Sequence, residues 1–360
     1  MKFVDEFRNG EYAKSLVKLL QNITDEKINI MEVCGTHTMA IFRYGIRDIL
    51  PGNIRVISGP GCPVCVTPQS YIDTALGLAL NKDVIIATFG DMIRVPGRET
   101  SLMKRKAEGA DIRIVYSPMD ALTLAENNSS KKVVFLSVGF ETTTPMTAIT
   151  AIEARKKGIK NLFFLTAHKI VPPAMKALVE DKEINIDGFL LPGHVSAVIG
   201  KRPYEFLSDE YNIPGVITGF EPLDILKGLN TLISMIYKRD YKTVNEYKRI
   251  VRDDGNSKAL EYLDKVFEIT ESTWRGIGTI PNSGYKFNKE YEDFDAIKHF
   301  DINYKDYDGS PGCRCGDILK GKITPFECPL FRKACTPENP VGSCMVSSEG
   351  TCAAYYRYSS

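Results

Sequence analysis

No apolar run in this 360-residue sequence approaches the roughly 20 residues that a bilayer-spanning helix needs. The opening stretch, MKFVDEFRNGEYAKSLVKLL, spreads charges among its apolar residues at helical spacing, unlike the unbroken core of a secretory leader. A cytoplasmic chain without membrane association is therefore expected. An excess of either charge is lacking too. Lys and Arg number 46 against 45 Asp and Glu, so the composition carries neither a nucleic-acid footprint nor a disordered charged tail. Neither GxGxxG nor GxxxxGK[ST] occurs, which leaves no recognisable nucleotide site. Hydrophobic residues make up 43% of the chain, enough for a large core and for two or three domains without cysteine staples.

Cysteine is scarce over most of the length and then abundant. Three of the nine lie in the first 312 residues and six in the last 48. An odd total does not suit a secreted disulfide framework; in a reducing compartment such thiols bind metal or do redox chemistry.

Seven short β-branched or aromatic runs end in a glycine, histidine or cysteine turn: INIMEVCGTH, IRVISGPGCP, VIIATFGDMI, VVFLSVGFET, LFFLTAHKIV, GFLLPGHVS and GVITGFEP. Most precede a helical pattern. After the second, Thr67 reads as an N-cap, Pro68 as the first helical residue, and Ile72, Leu76 and Ala79 as the buried stripe. Alternating strands and helices imply parallel sheets, with ligands gathered at the carboxyl ends of the strands. VGFETTTP and TGFEPLDI echo each other. The expected fold is therefore α/β, with two similar parallel-sheet domains facing a central cleft and a helical, loop-rich C-terminal iron–sulfur domain. The divisions fall at 1–130, 131–230 and 231–360. After the last of these runs, Leu223, Leu226, Leu229, Ile233 and Ile236 mark an amphipathic helix, followed by helical patterns around 242–253 and 256–268, and by loops from Thr273 onward.

The tail cysteines are Cys313, Cys315, Cys328, Cys335, Cys344 and Cys352. Structural zinc sites favour tight cysteine knuckles, which this tail lacks, so a 4Fe-4S cluster is expected ahead of zinc or plain disulfides. One set of four, Cys313, Cys328, Cys335 and Cys352, leaves Cys315 and Cys344 to pair beside the cluster. That arrangement is similar to the ferredoxin:thioredoxin reductase family, in which a thiol pair exchanges electrons with a neighbouring 4Fe-4S centre.

The strand ends carry the remaining chemistry. Cys62 and Cys65, in GPGCPVC, read as a redox pair in a rigid turn, against the alternative of two buried structural cysteines. Because the helix is expected to begin beyond Cys65, its dipole should act on them only weakly. Cys34 and His37, in CGTHT, suit a nucleophile with its base, or a lone metal thiolate steadied by an imidazole and completed by another chain. Arg94 and Arg98 suit an anionic ligand. Glu141, Thr142, Lys169 and His194 add a carboxylate, a hydroxyl, an amine and an imidazole. By contrast, Lys104 to Lys106 reads as a solvated helix face and Trp274 as packing.

Taken in order, CGTHT, GPGCPVC, GDMIRVPG, GFETT, PGHVS, GFEP and the six-cysteine tail resemble the HypD family of nickel–iron hydrogenase maturation factors. The resemblance implies a scaffold on which iron acquires two cyanides and one carbon monoxide, held by Cys34 with His37 nearby and shared with a HypC-type small chaperone. It implies cyanide from a HypE-type donor, itself paired with HypF, and eventual delivery to the hydrogenase large subunit. It also implies redox roles for Cys62 and Cys65 and a 4Fe-4S cluster in the tail. Bound cyanide accepts hydrogen bonds, which gives Arg94, Arg98, Lys169 and Thr142 a purpose. Two other classes compete: an iron–sulfur thiol–disulfide oxidoreductase, which leaves Cys34, Arg94 and His194 idle, and a zinc-stabilised α/β binding protein, which leaves the strand-end residues unexplained.

Overall fold

The computed structural model describes residues 9–20, 23–302 and 311–359. Its strands are β1 (Ile28–Glu32), β2 (Ile54–Ser58), β3 (Val84–Thr88), β4 (Ile112–Ile114), β5 (Lys132–Gly139), β6 (Leu162–His168), β7 (Gly188–Pro192), β8 (Gly215–Thr218), β9 (Thr243–Asn245), β10 (Phe267–Trp274) and β11 (Gly278–Phe287). Two sheets, ordered β2-β1-β7-β8-β9 and β4-β3-β5-β6, are parallel throughout, and β10 pairs with β11 as an antiparallel hairpin. All seven runs expected from their apolar character are strands. Burial on both faces explains why they read as continuous apolar stretches rather than alternating ones.

The sheets are interleaved along the chain. β1 and β2 join β7, β8 and β9 to make one sheet, while the segment between them builds the whole of the other. A division at residue 130 therefore separates β3 from β5, which pair in register from Val84 with Lys132 to Ala87 with Phe135. The physical reason is that β1 is an inner strand whose second edge must be covered, and β7 is what covers it.

The helix Pro222–Lys238 begins on a capping box between Glu221 and Asp224 and buries Leu223, Leu226, Leu229 and Ile233 among Ile30, Leu190 and Val216 of the first sheet. Each such side chain contributes on the order of 1.5–3 kcal/mol through removal from water. Two expected elements differ. Residues 242–253 are not helical: Thr243–Asn245 adds an edge strand, and the Asn245 side chain ends it by accepting from Tyr247 N–H and donating to Val251 O. Three residues are too short to show a strand period. Nor is the stretch around Thr273 a loop. It is the hairpin, bulged between Thr270 and Ser272, with too many half-exposed positions for its alternation to stand out. Trp274 is buried there and stacks on Phe140, with ring centroids 5.8 Å apart. Lys104 and Lys106 are exposed on the helix Leu102–Ala107, as expected. Among the described residues, no helix is long and apolar enough to cross a membrane.

Candidate functional site

The parallel order brings the loops after β1, β2, β7 and β8 to one end of the first sheet, and those after β3, β5 and β6 to one end of the second. After β1, Cys34 stands at the N-cap of the helix Gly35–Arg43 in extended conformation. Its N–H donates to Oε2 of the buried Glu32 at 3.0 Å, and Thr38 Oγ1 donates to Oε1 at 2.5 Å. Burial pushes the Glu32 carboxyl up to about 7 in spite of these donors. The GPGCPVC turn is stitched onto this one: Gly35 N–H donates to Gly61 O and Gly59 N–H to Glu32 O, both at 2.8 Å. A Cβ on Gly61 would lie 2.2 Å from Cys34 N, so only glycine allows the two turns to meet this closely. Burial pushes the Cys34 thiol up to about 12, opposed by the His37 N–H and reinforced by the carboxylates of Glu349 and Glu32.

His37 is fully buried, and its Nε2 lies 3.0 Å from Gly219 O. A carbonyl only accepts, so Nε2 carries the proton and Nδ1 is left as a buried lone pair without a partner. Burial lowers His37 to about 4, which keeps it neutral at pH 7. An imidazole with one nitrogen anchored to a backbone carbonyl and the other bare is in the state that metal ligation requires. Phe220 packs against both His37 and the exposed His194, with centroids at 4.6 and 4.1 Å.

The helix after the second turn starts later than expected, at Gln69, with Pro68 as N-cap. Ile72, Leu76 and Ala79 are buried as its stripe requires. A separate single turn, Pro63–Val66, precedes it, and Cys62 is its N-cap: the Cys62 sulfur accepts the Cys65 N–H at 3.2 Å. Thr67 instead closes that turn, donating to Pro63 O at 2.8 Å. Prolines at 63 and 68, five residues apart, permit two short starts where spacing alone reads one.

The C-terminal segment lies across both sets of loops. Ser343 Oγ donates to Cys65 O at 3.1 Å, Arg94 Nη2 to Val346 O at 3.2 Å, and Thr36 Oγ1 to Glu349 Oε1 at 2.6 Å. Cys344 is thereby buried against the thiols of Cys65 and Cys315. All nine cysteines are free thiols, so Cys315 and Cys344 are neighbours without being bonded. Contacts between sulfurs run from Cys62 to Cys65, Cys344, Cys315 and Cys313. Hydrogen bonds from Cys315 and Cys65 lower Cys344, whereas burial raises Cys65.

Cys352 is almost wholly buried, with Cys315, Cys313, Cys335 and Cys328 around it in order of influence. The Val341 N–H donates to Cys335 Sγ at 3.4 Å. Among the described residues, no three His, Cys, Asp or Glu side chains are already disposed about one point as a metal ion would need. In donor type the set fits: neighbouring soft sulfurs, one with an amide N–H on it, are what an iron–sulfur cluster binds.

Other candidate residues are spread more widely. Arg94 is exposed and tied to the tail carbonyl of Val346. Arg98 lies over the helix Gln69–Leu78, its N–H on Asp73 Oδ1 at 2.8 Å, in a surface hollow with Leu76, Leu80 and Arg105 that no cysteine lines. Lys169 is buried and donates to Ser272 Oγ and to Thr273 O, which ties β6 to the hairpin. Glu141 is buried, caps the helix Val171–Glu180 through the Val171 N–H at 2.9 Å, and leaves Oε2 without a partner. Burial raises it to about 7. Thr142 is exposed.

Three residues at the site escape sequence reasoning. Glu32 looks like a strand residue, and Glu349 lies in an unremarked SSEG stretch. Arg275 follows Trp274 in the hairpin turn. It is buried, with Nε on Thr67 O at 2.7 Å, Nη1 on Gln69 Oε1 at 3.2 Å, and Nη2 without a partner. The available signal for Arg275 was a single charge beside the only tryptophan.

A family model named HypD, described as the hydrogenase formation hypA family, matches residues 11–359. Hydrogenase maturation factor HypD2 of Bradyrhizobium diazoefficiens is 46% identical over 99% of this chain and 97% of its own. Hydrogenase maturation factor HypD of Escherichia coli is 45% identical over 99% of this chain and 98% of its own. The HypD of Cupriavidus necator is 46% identical over 99% and 97%. Motif order and similarity over almost the full length agree: the chain belongs to the HypD family of hydrogenase maturation factors.

Proposed function

We propose that this chain assembles a low-spin iron carrying cyanide and carbon monoxide for a nickel–iron hydrogenase, together with a HypC-type chaperone and a HypE-type cyanide donor. The observation that carries the reading is the run of thiols from Cys62 to Cys313, one end of which is stitched by Gly35 and Gly61 to the turn holding Cys34.

The iron is cargo, and Cys34 is its anchor on this side. The thiol resists ionisation while buried and free, so loading exchanges its proton for a metal ion. His37 Nδ1 offers a second lone pair from the same helix. Two side-chain donors leave most of an iron coordination sphere open, which suits both diatomic ligands and a partner's thiolate.

Cyanide handed over from a thiocyanate must be released reductively. Two thiols of the run lose two electrons and two protons as their S–S bond forms. The S–CN bond breaks to give cyanide for the iron and the carrier thiolate, which takes one of the protons while the other is released to solvent. Cys344 is suited to begin such exchanges, since its pKa is the one lowered. A 4Fe-4S cluster bound by Cys313, Cys328, Cys335 and Cys352 would supply single electrons near these thiols. Glu32 and Thr38 hold the Cys34 backbone, and the tail segment with Glu349 covers the turn.

Infrared spectroscopy on anaerobic protein co-expressed with its small chaperone tests this. Cyanide and carbonyl stretching bands are expected in the wild type and lost in Cys34→Ala. A brown protein with no such bands in either sample would point instead to the thiol–disulfide oxidoreductase.

A further inference from the structure

Among the described residues, Arg275 is a charge without a counter-charge. Its side chain is 1% exposed, and a guanidinium stays protonated in a protein at any accessible pH. Both acceptors it reaches, the Thr67 carbonyl and the Gln69 amide oxygen, are neutral. Nη2 is buried and bare, and no carboxylate pairs with the group among the described residues. A buried cation in that state is costly and calls for an anion close by.

The backbone indicates where that anion belongs. Gly276, at φ +72°, lies so tightly on the tail that a Cβ there would sit 2.2 Å from Gly316 Cα. The hairpin turn is thus held against the segment that begins at Cys313, and the field of Arg275 acts on Cys313 and Cys315. As free thiols these are neutral. Four thiolates on a 4Fe-4S core carry a net negative charge, and each electron added increases it.

We propose that Arg275 is the buried counter-cation of an iron–sulfur cluster held by the tail thiols, setting its reduction potential upward by stabilising the reduced, more negative state. This rests on the reading of Cys313, Cys328, Cys335 and Cys352 as cluster ligands. It assigns the charge a role distinct from that of the hydrogen bonds. Those tie the hairpin to Thr67 and Gln69 and would be needed with no cluster at all.

The test is reconstitution of the full-length protein with ferrous iron and sulfide under anaerobic conditions, for wild type, Arg275→Gln and Arg275→Lys. Cluster content is read from iron, sulfide and absorption, and midpoint potentials from redox titration of the reduced-state electron paramagnetic resonance signal. Arg275→Lys is expected to titrate with the wild type. Arg275→Gln is expected at lower potential, with the oxidised-to-reduced ratio at fixed poise changed at least tenfold, about 59 mV for one electron. Uptake of a cluster by the Lys variant but not the Gln variant also supports the charge. Equal midpoints in all three proteins overturn the proposal. So does a folded pair of variants that both fail to hold a cluster, since a clamp lost by either substitution explains that. A wild type that takes up no iron and sulfide overturns the cluster reading itself, a result separable from failure of the Arg275 assignment alone.

Discussion

Burial sets protonation in opposite directions at four side chains near the strand ends. Glu32 and Glu141 are raised to about 7, chiefly by desolvation, while His37 and His168 are lowered to about 4 and about 3 by the same cause. The carboxyls hold protons in the folded chain that the unfolded chain sheds near 4.5. Their contribution to stability is complete below that value and is lost as pH rises through about 7. The imidazoles act the other way: their contribution is complete above 6.5 and is lost as pH falls towards 4 and 3. Between about 4.5 and 6.5 the two pairs oppose each other, so neither is visible in the wild type alone. Glu141→Gln exposes one of them. Its amide oxygen can still accept the Val171 N–H, and the ionisation is gone. Relative to wild type, the variant is expected to gain on the order of 3 kcal/mol between pH 4.5 and pH 8, converting the shift of Glu141. Denaturant midpoints of both proteins at the two pH values check this. An unchanging difference would mean that the Glu141 carboxyl titrates as it does in water.

At the scale of elements, the site depends on two turns touching rather than on any one of them. Gly61→Ala places a methyl against Cys34 N and is expected to separate the turns, at a cost of about 1–3 kcal/mol from overpacking, with loss of the infrared bands. Gly77 supplies the control. It is an exposed position in the helix Gln69–Leu78 with nothing within 4 Å of an added Cβ, so Gly77→Ala should stabilise by roughly 0.5–1 kcal/mol with the bands unchanged. Thermal denaturation and the spectra together distinguish the two. This also shows what the sequence makes legible. Strands buried on both faces announce themselves as apolar runs, and turns loaded with Cys, His and Gly mark their ends. Hence the positions of Cys34, His37, Cys62 and Cys65 were readable. The contacts between turns were not, because the Gly35 to Gly61 bond and the approach of Ser343 to Cys65 join residues with no local pattern in common. Arg94 and Arg98 are close in sequence, yet one meets the tail and the other lies on a helix, since the 3-10 turn Met92–Arg94 and the Pro96 bend point them apart.

For the whole molecule, the order of strands decides which pieces can stand alone. β1 lies between β2 and β7, so a fragment ending at residue 130 has β1 open along one edge and lacks β5, the partner that holds β3 from its other side. The Pro222–Lys238 helix, whose stripe covers Ile30 and Val56 together with Leu190 and Val216, is missing as well. Fragment 131–230 has the opposite defect: β5 and β6 without β3, and β7 and β8 without β1. Exposed parallel edges and uncovered apolar faces on both pieces leave too little buried surface to offset chain entropy. Each fragment alone is expected to lack a cooperative thermal transition. A fragment spanning 60–185 contains every strand of the second sheet and should retain more structure than either. Circular dichroism melts of the three pieces decide the matter. A sharp transition in 1–130 would mean that β1 and β2 hold together without β7, and that the two sheets fold as sequential rather than interleaved units.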